Sequence, residues 1–190
     1  MHYDEKYVKV KKKDCYDLNA IDSKTKFVLA HSFVEKRTKE ECYKFLKQIK
    51  DNCYEQMLER FEQGNKIEFT CDKFANYKSA FNKLFYRICK LNFGISIAYQ
   101  KHGVKHNNNP IERYNGKIKD RIKNIRSGFK SFDNARYFMD LRRTIHNFVN
   151  PNQELGGKTP AEMAEIILLL KRKKLLSLIE FVRDNYVSIT

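Results

Sequence analysis

The period of the apolar residues changes near residue 38, and this change constrains the fold more than any other feature. Apolar and polar residues alternate over residues 3–34, with turn-like interruptions at residues 11–14 and 22–24. Alternation with two such interruptions predicts three short antiparallel strands. From residue 38 onward the apolar residues recur at steps of three and four. This spacing predicts a helix over residues 38–58.

Two further strands alternate with helices after this point. Residues 67–71 form a short apolar run that ends at Asp72, which predicts a buried strand with a carboxylate at its end. A helix is predicted over residues 74–91 and a fifth strand over residues 94–99. Because strands joined through a helix pair in parallel, the fourth and fifth strands should extend the sheet beside the first.

Helices are predicted to complete the chain. One begins at Pro110, since proline suits the first turn of a helix. Its core stripe comprises Ile111, Tyr114, Ile118, Ile122 and Ile125. Others are predicted over residues 133–149 and from Thr159, where Pro160 and Glu162 complete a capping signal. The order βββαβαβα predicts an α/β fold of ribonuclease-H-like architecture, a mixed five-stranded sheet flanked by helices, with extra C-terminal helices.

The charge balance points to a polyanionic partner. The chain carries 38 Lys and Arg against 23 Asp and Glu, a net charge of +15, which attracts phosphate backbones. Its five cysteines include no C-x-x-C pair, which argues against a disulfide framework and a zinc ribbon. The most apolar run, residues 166–170, is too short to span a membrane, and the N-terminus lacks the apolar core of a signal peptide. We therefore expect a soluble cytoplasmic protein that binds nucleic acid.

Three acidic residues are placed where a metal site can form. Asp4 lies on the first predicted strand, Asp72 follows the fourth, and Glu112 begins the helix after a run of three asparagines. Phosphodiester cleavage and strand transfer use two divalent cations about 3.5 to 4 Å apart. Mg²⁺ is held by a few carboxylates while it keeps waters and substrate phosphates as its other ligands. The three acids are therefore the candidate catalytic and metal-binding residues.

Three short segments are distinctive: YDEKYVKV at residues 3–10, NNNPIERYN at residues 107–115 and LGGKTPAE at residues 155–162. In this order they resemble the first-strand aspartate segment, the glutamate-bearing helix start and the C-terminal signature of DDE-type insertion-sequence transposases. The resemblance covers nearly the whole chain. It implies a catalytic core of the retroviral-integrase superfamily, two Mg²⁺ or Mn²⁺ ions per site, and DNA transposition as the reaction.

The same resemblance implies DNA contacts on the helix of Glu112. Asn115 and Lys119 follow Glu112 by 3 and 7 positions, match polar and basic family positions, and share its side of a helix. Gly116 stands where the family has a DNA contact, and residues 150–152 (NPN) replace the family's usual R-P-H. The remaining candidates for neutralising the DNA backbone are Arg113, Lys123 and Arg126.

Other residues compete for these roles. Glu5 is the nearest rival of Asp4, but alternation sends it to the opposite face of the strand. Weaker rivals on the first strands are Asp14, Asp17 and Asp22. Auxiliary candidates for contacts with metal or phosphate are His102, His106 and the lysine-rich residues 11–13 and 171–174.

The domain boundary is predicted near residue 150, where Pro, Asn and Gly cluster. Residues 1–150 should form the catalytic core and residues 151–190 a C-terminal helical extension. Asp4 lies three residues after Met1, so we expect no N-terminal helix-turn-helix domain for recognising element ends. Two alternatives to an active transposase are a truncated remnant that only binds nucleic acid and a ribonuclease-H-like nuclease. Since transposition joins two DNA ends, the family implies a homodimer or larger synaptic assembly.

Overall fold

The computed structural model describes residues 1–72, 74–93, 109–125, 128–166, 168 and 170–186. The strands are β1 (His2–Val10), β2 (Lys13–Ile21), β3 (Val28–Val34), β4 (Ile67–Cys71) and β5 (Cys89–Phe93). Two helices alternate with the later strands, α1 (Lys39–Glu62) and α2 (Ala75–Phe85). The C-terminal part contains α3 (Asn109–Lys123), α4 (Phe132–Phe148), α5 (Pro160–Met163) and α6 (Lys174–Tyr186).

The five strands form one mixed sheet in the order β3-β2-β1-β4-β5. The first three strands pair antiparallel, whereas β4 pairs parallel with both β1 and β5. This is the ribonuclease-H-like α/β architecture predicted from the element order. In the β1–β4 register His2 lies opposite Thr70. Continuing that register by two residues aligns Asp4 with Asp72 at the same end of the sheet.

Helices cover both faces of the sheet. Helices α1 and α2 pack on one face, where Tyr3, Phe45 and Phe69 are fully buried. Helices α3 and α4 pack on the other, where Ile111 and Met139 are buried against the antiparallel strands. Because side chains alternate along a strand, the odd-numbered Tyr3 and the even-numbered Val8 of β1 enter different cores.

The predicted helix over residues 74–91 was too long. Helix α2 ends at Phe85, and β5 begins at Cys89. From Cys89 the apolar residues recur at every second position, and the strand hydrogen-bonds in parallel with β4. This pairing outweighs the helical spacing that also fits the segment. The fifth strand therefore precedes the predicted residues 94–99, which lie outside the described residues.

The capping signal at Thr159 is present, but the helix it starts is short. The Thr159 Oγ1 accepts a hydrogen bond from the Glu162 amide at 3.2 Å, and the Glu162 carboxylate accepts one from the Thr159 amide at 2.8 Å. Helix α5 ends at Met163, and Glu165 adopts a left-handed φ of 60°. None of the described helices combines the length and hydrophobicity that a membrane crossing requires.

A buried polar cluster joins α4 to the sheet. His31 donates from Nε2 to Asp17 at 2.5 Å and from Nδ1 to Asp140 at 3.1 Å. Burial by itself lowers the pKa of His31, but the hydrogen bonds to Asp140 and Asp17 outweigh it and raise the pKa to about 9. Nearby, the Asn147 side chain bonds both backbone groups of Val28, at 2.9 and 3.1 Å. These contacts fix α4 against β2 and β3.

Candidate metal and DNA site

Three carboxylates meet where β1 and β4 run side by side. Oxygen atoms of Asp4, Glu5 and Asp72 all lie within 4.8 Å of one another. The parallel β1–β4 register brings Asp4 and Asp72 together, and Glu5 joins them from the adjacent position of β1. Several hard oxygen donors at this separation suit Mg²⁺ or Mn²⁺. We call Asp4, Glu5 and Asp72 the acidic cluster.

The acidic cluster is electrostatically unfavourable without a cation. The pKa of Asp4 is raised to about 7, chiefly because the carboxyl is buried, and the charges of Glu5, Asp72 and Glu112 raise it further. Burial likewise raises the pKa of Glu5, to which the charge of Asp72 adds. A bound cation would offset this repulsion, because it favours the charged form of each carboxyl. The cluster therefore fits a divalent metal in charge as well as in donor type.

Glu112 lies beside the acidic cluster but outside its closest group. It occupies the first turn of α3, is half-buried, and has its pKa raised by burial. Among the described residues, its oxygens are not part of the group within 4.8 Å. Its charge nevertheless contributes to raising the pKa of Asp4. The structure thus brings Asp4 and Asp72 together and holds Glu112 at a longer but electrostatically significant distance.

Glu5 is the member of the cluster that the sequence interpretation set aside. Its carboxylate accepts hydrogen bonds from Arg37 and, at 2.9 Å, from the Tyr77 hydroxyl. Alternation does turn Glu5 toward α2, where Tyr77 lies, but the carboxylate still reaches Asp4 and Asp72 at the end of the sheet. Arg37 is stacked in turn on the Phe74 ring, 4.3 Å from its centroid. Glu5 is therefore held in place by protein contacts.

Asp72 is positioned by the start of α2. Its Oδ1 accepts a hydrogen bond from the Phe74 amide at 3.1 Å, and Phe74 is the N-cap residue of that helix. Amides at a helix N-terminus stabilise a negative charge placed beside them. Asp72 thus lies directly after β4, and the hydrogen bond from the Phe74 amide restrains its side chain.

A basic patch lies next to Asp4. Lys119 and Lys123 are exposed on α3, and the charges of both lysines and of Asp4 act on Lys6. The pKa of Lys6 is lowered mainly by burial and then by the charges of Lys119 and Lys123, against an opposing effect of Asp4. Lys6 was not predicted as a site residue. Its position two residues after Asp4, and so on the same face of β1, is the signal that identifies it.

The other predicted DNA-binding residues have varied surroundings. Asn115 is buried, and its Oδ1 has no partner among the described residues. Arg113 contacts Glu154, and Lys123 lies 3.5 Å from Asp120. A Cβ at Gly116 would have open space, so nothing in the described structure requires glycine there. Arg126, His102 and His106 lie outside the described residues.

The sequence matches the family model described as DDE domain (DDE_Tnp_IS240) over residues 1–152. No curated protein matches it. Its fold resembles a chain of a simian T-cell lymphotropic virus intasome in complex with a PP2A regulatory subunit, with TM-score 0.53 and 15% identity over 90% of this chain. This chain spans 55% of the length of that intasome chain.

Two integrase catalytic core domains are also similar. The HTLV-2 domain, solved in complex with magnesium, has TM-score 0.48 and 18% identity over 85% of this chain and 93% of its own. The BIV domain has TM-score 0.46 and 15% identity over 85% of this chain and 91% of its own. At these identities the likeness concerns the fold alone. The family model covers most of the sequence, and the chain therefore belongs to the transposase DDE-domain family.

Proposed function

We propose that this protein catalyses DNA transposition, cutting a DNA strand and transferring its 3′ end in a metal-dependent reaction. The observation that carries this proposal is the convergence of Asp4 and Asp72 within the acidic cluster, with the charge of Glu112 reaching Asp4, in a chain of the DDE-domain family. These three acids are the proposed catalytic and metal-binding residues.

The proposed cofactor is Mg²⁺ or Mn²⁺, two ions per site, held by Asp4, Asp72 and Glu112. Bound there, the ions supply activation of the attacking oxygen and stabilisation of the leaving oxygen. The contact from the Phe74 amide keeps the Asp72 carboxylate oriented toward the site. The contacts from Arg37 and Tyr77 occupy the Glu5 carboxylate, which therefore shapes the site and adds negative charge to it.

DNA is the proposed substrate, and the basic patch beside Asp4 is proposed to bind its backbone. Lys6, Lys119 and Lys123 present positive charge next to the acidic cluster. Phosphate contacts of this kind position a nucleic acid without reading its sequence. Asn115 is proposed to orient the strand near the metals. Arg113 and Arg126 complete the proposed set of backbone contacts.

The decisive experiment is a cleavage and strand-transfer assay in Mn²⁺, with DNA taken from the sequences that flank this reading frame. Asp72→Asn and Glu112→Gln should each abolish both steps. Asp14→Asn, which removes an exposed carboxylate of β2, is the matched control and should retain activity. Full activity in either site variant would refute the triad. Cleavage of an RNA–DNA hybrid without any strand transfer would instead identify a nuclease.

We also infer that the active form is a dimer or larger assembly, because transposition must hold two DNA ends together. Light scattering on the protein bound to end DNA should give a mass containing at least two chains. A complex that contains a single chain and still performs concerted strand transfer would contradict this inference.

A further inference from the structure

Helix α3 has a second basic side, turned away from Glu112. Lys117 and Arg121 are one helical turn apart and line a cavity of about 560 Å³ between α3, α4 and residues 150–160. Arg142 reaches the same cavity from α4. A neighbouring cavity of about 640 Å³ shares five lining residues with it, so the two form a continuous groove. The shared residues are Tyr114, Lys117, Asp120, His146 and Asn152. We call the part lined by Lys117, Arg121 and Arg142 the rear groove.

The rear groove has an excess of positive charge. Within the described part of the chain, Lys117, Arg121 and Arg142 form no ion pair. The only acid lining it there is Asp120, which lies 3.5 Å from Lys123. The pKa of Arg142 is lowered mainly by burial and then by the nearby charge of Arg121. Bringing like charges together in a half-buried cleft is costly unless an anion binds between them.

Two buried hydrogen-bonding groups of the groove are also unpartnered. Tyr114 is only 4% exposed and lines the cavity, and its hydroxyl has no partner among the described residues. The Nε of Arg142 is likewise buried without a described partner. Buried polar groups normally find a hydrogen-bond acceptor or donor, so such groups beside a cavity indicate a missing one. Both can donate, and both lie on the walls that carry the positive charge.

The adjoining part of the groove is different in charge. There Glu154 contacts Arg113 and lies 3.7 Å from Lys26, so the two cations that line this part but not the rear groove are already paired. His146 lines both parts, and burial lowers its pKa to about 4, which leaves the ring neutral near pH 7. Its Nε2 donates to the Lys26 carbonyl at 2.9 Å. An anion is therefore favoured specifically in the rear groove.

We propose that the rear groove binds a stretch of DNA backbone, forming a second DNA-binding site on the side of α3 opposite Glu112. Lys117 and Arg121 neutralise phosphates along the strand, and Arg142 and the Tyr114 hydroxyl donate to phosphate oxygens at the groove floor. The identity of the ligand as DNA rests on the proposed function. The site itself follows from the unpaired cations and the unpartnered donors.

The test is a fluorescence-anisotropy titration of labelled duplex DNA onto the full chain, in EDTA and over a series of salt concentrations. Lys117→Gln/Arg121→Gln changes only exposed residues and should weaken binding about tenfold and reduce the salt slope by about 2, one for each lost phosphate contact. The matched control is Lys83→Gln/Arg87→Gln, which removes two exposed cations on and just after α2. The control should bind with nearly unchanged affinity and slope.

Tyr114→Phe separates a ligand-binding role from a structural one. Because the hydroxyl has no described partner, its loss should leave the melting temperature unchanged, yet it should weaken DNA binding several-fold without altering the salt slope. Equal affinities for the groove variant and the control, or tighter binding of RNA than of DNA, would overturn the proposal. The measurement needs no metal. A groove variant with weakened binding therefore supports the second site even if Asp72→Asn retains cleavage and the proposed function fails.

Discussion

Replacing Asp4 with asparagine should stabilise the metal-free protein and strongly reduce its stabilisation by metal. Burial and the neighbouring acids raise the pKa of Asp4 to about 7 from its ordinary 3.8. The folded protein therefore binds this proton more tightly than the unfolded chain does. The contribution of Asp4 to stability is therefore greatest at acid pH and falls as the pH rises from about 4 through about 7.

The size of the effect follows from the same shift. The difference between about 7 and 3.8 corresponds to an upper limit of roughly 4 kcal/mol of unfolding free energy lost above pH 7. Asp4→Asn removes this loss, so at pH 8 it should raise the melting temperature by about 2 to 4 °C for each kcal/mol regained. At pH 4, where the wild-type carboxyl is mostly protonated, wild type and variant should melt almost together.

The assay is thermal unfolding followed by circular dichroism between pH 4 and pH 8, in EDTA and then with Mn²⁺. At a concentration a hundred times its dissociation constant, Mn²⁺ should stabilise wild type by about 2.7 kcal/mol and the variant far less. Asp14→Asn, an exposed carboxylate on β2, controls for the loss of one negative charge. A variant that is less stable than wild type at pH 8 in EDTA, or that keeps the full Mn²⁺ response, would refute the electrostatic account of the cluster.

Two further predictions concern the polar contacts that support the site. Raising the pH from 6.5 through about 9 should cost roughly 3 kcal/mol of stability, because the folded protein keeps the His31 proton that the unfolded chain releases. In a profile of melting temperature against pH, His31→Gln should flatten the fall between pH 6.5 and pH 9. Arg37→Gln should lower the free energy of unfolding, measured in urea, by about 3 kcal/mol, because it leaves the buried Glu5 carboxylate without its cation. Adding Glu5→Gln to this variant should restore much of the lost free energy. An additive double variant would show that the two residues do not interact.

The elements that depend on local period were predictable from the sequence. The alternation over the first three strands and the apolar run before Asp72 predicted β1 to β4, and the rule for parallel connections then placed Asp72 beside the first strand. The fifth strand was misplaced because residues 89–91 fit both a helical and an alternating pattern. Its pairing with β4, which no local pattern expresses, decides between them.

Contacts between distant segments account for the rest. The Glu5 carboxylate is held in the acidic cluster by hydrogen bonds from Arg37 and Tyr77, which lie 32 and 72 positions away in the chain. The rear groove likewise combines Arg121 with Arg142, one on each of two helices whose relative position depends on packing against the sheet. The composition predicts a surplus of cations. Only the fold shows that some lysines and arginines of α3 lie on the side of Glu112 and others line the rear groove.

Gly116 offers a test of whether DNA lies across the part of α3 that carries Glu112. It lies four positions after Glu112 and also borders the cavity that adjoins the rear groove, and a Cβ there would meet no heavy atom within 4 Å. Gly116→Ala should therefore raise stability by about 0.5 to 1 kcal/mol through helix propensity alone, with unchanged DNA affinity. Gly116→Lys should be similarly stable but should bind DNA more tightly, with a salt slope steeper by about 1, because it adds one phosphate contact to the surface of α3. If Gly116→Lys and Gly116→Ala bind DNA alike, that side of α3 does not face the DNA backbone, and the placement of DNA across Glu112 is wrong.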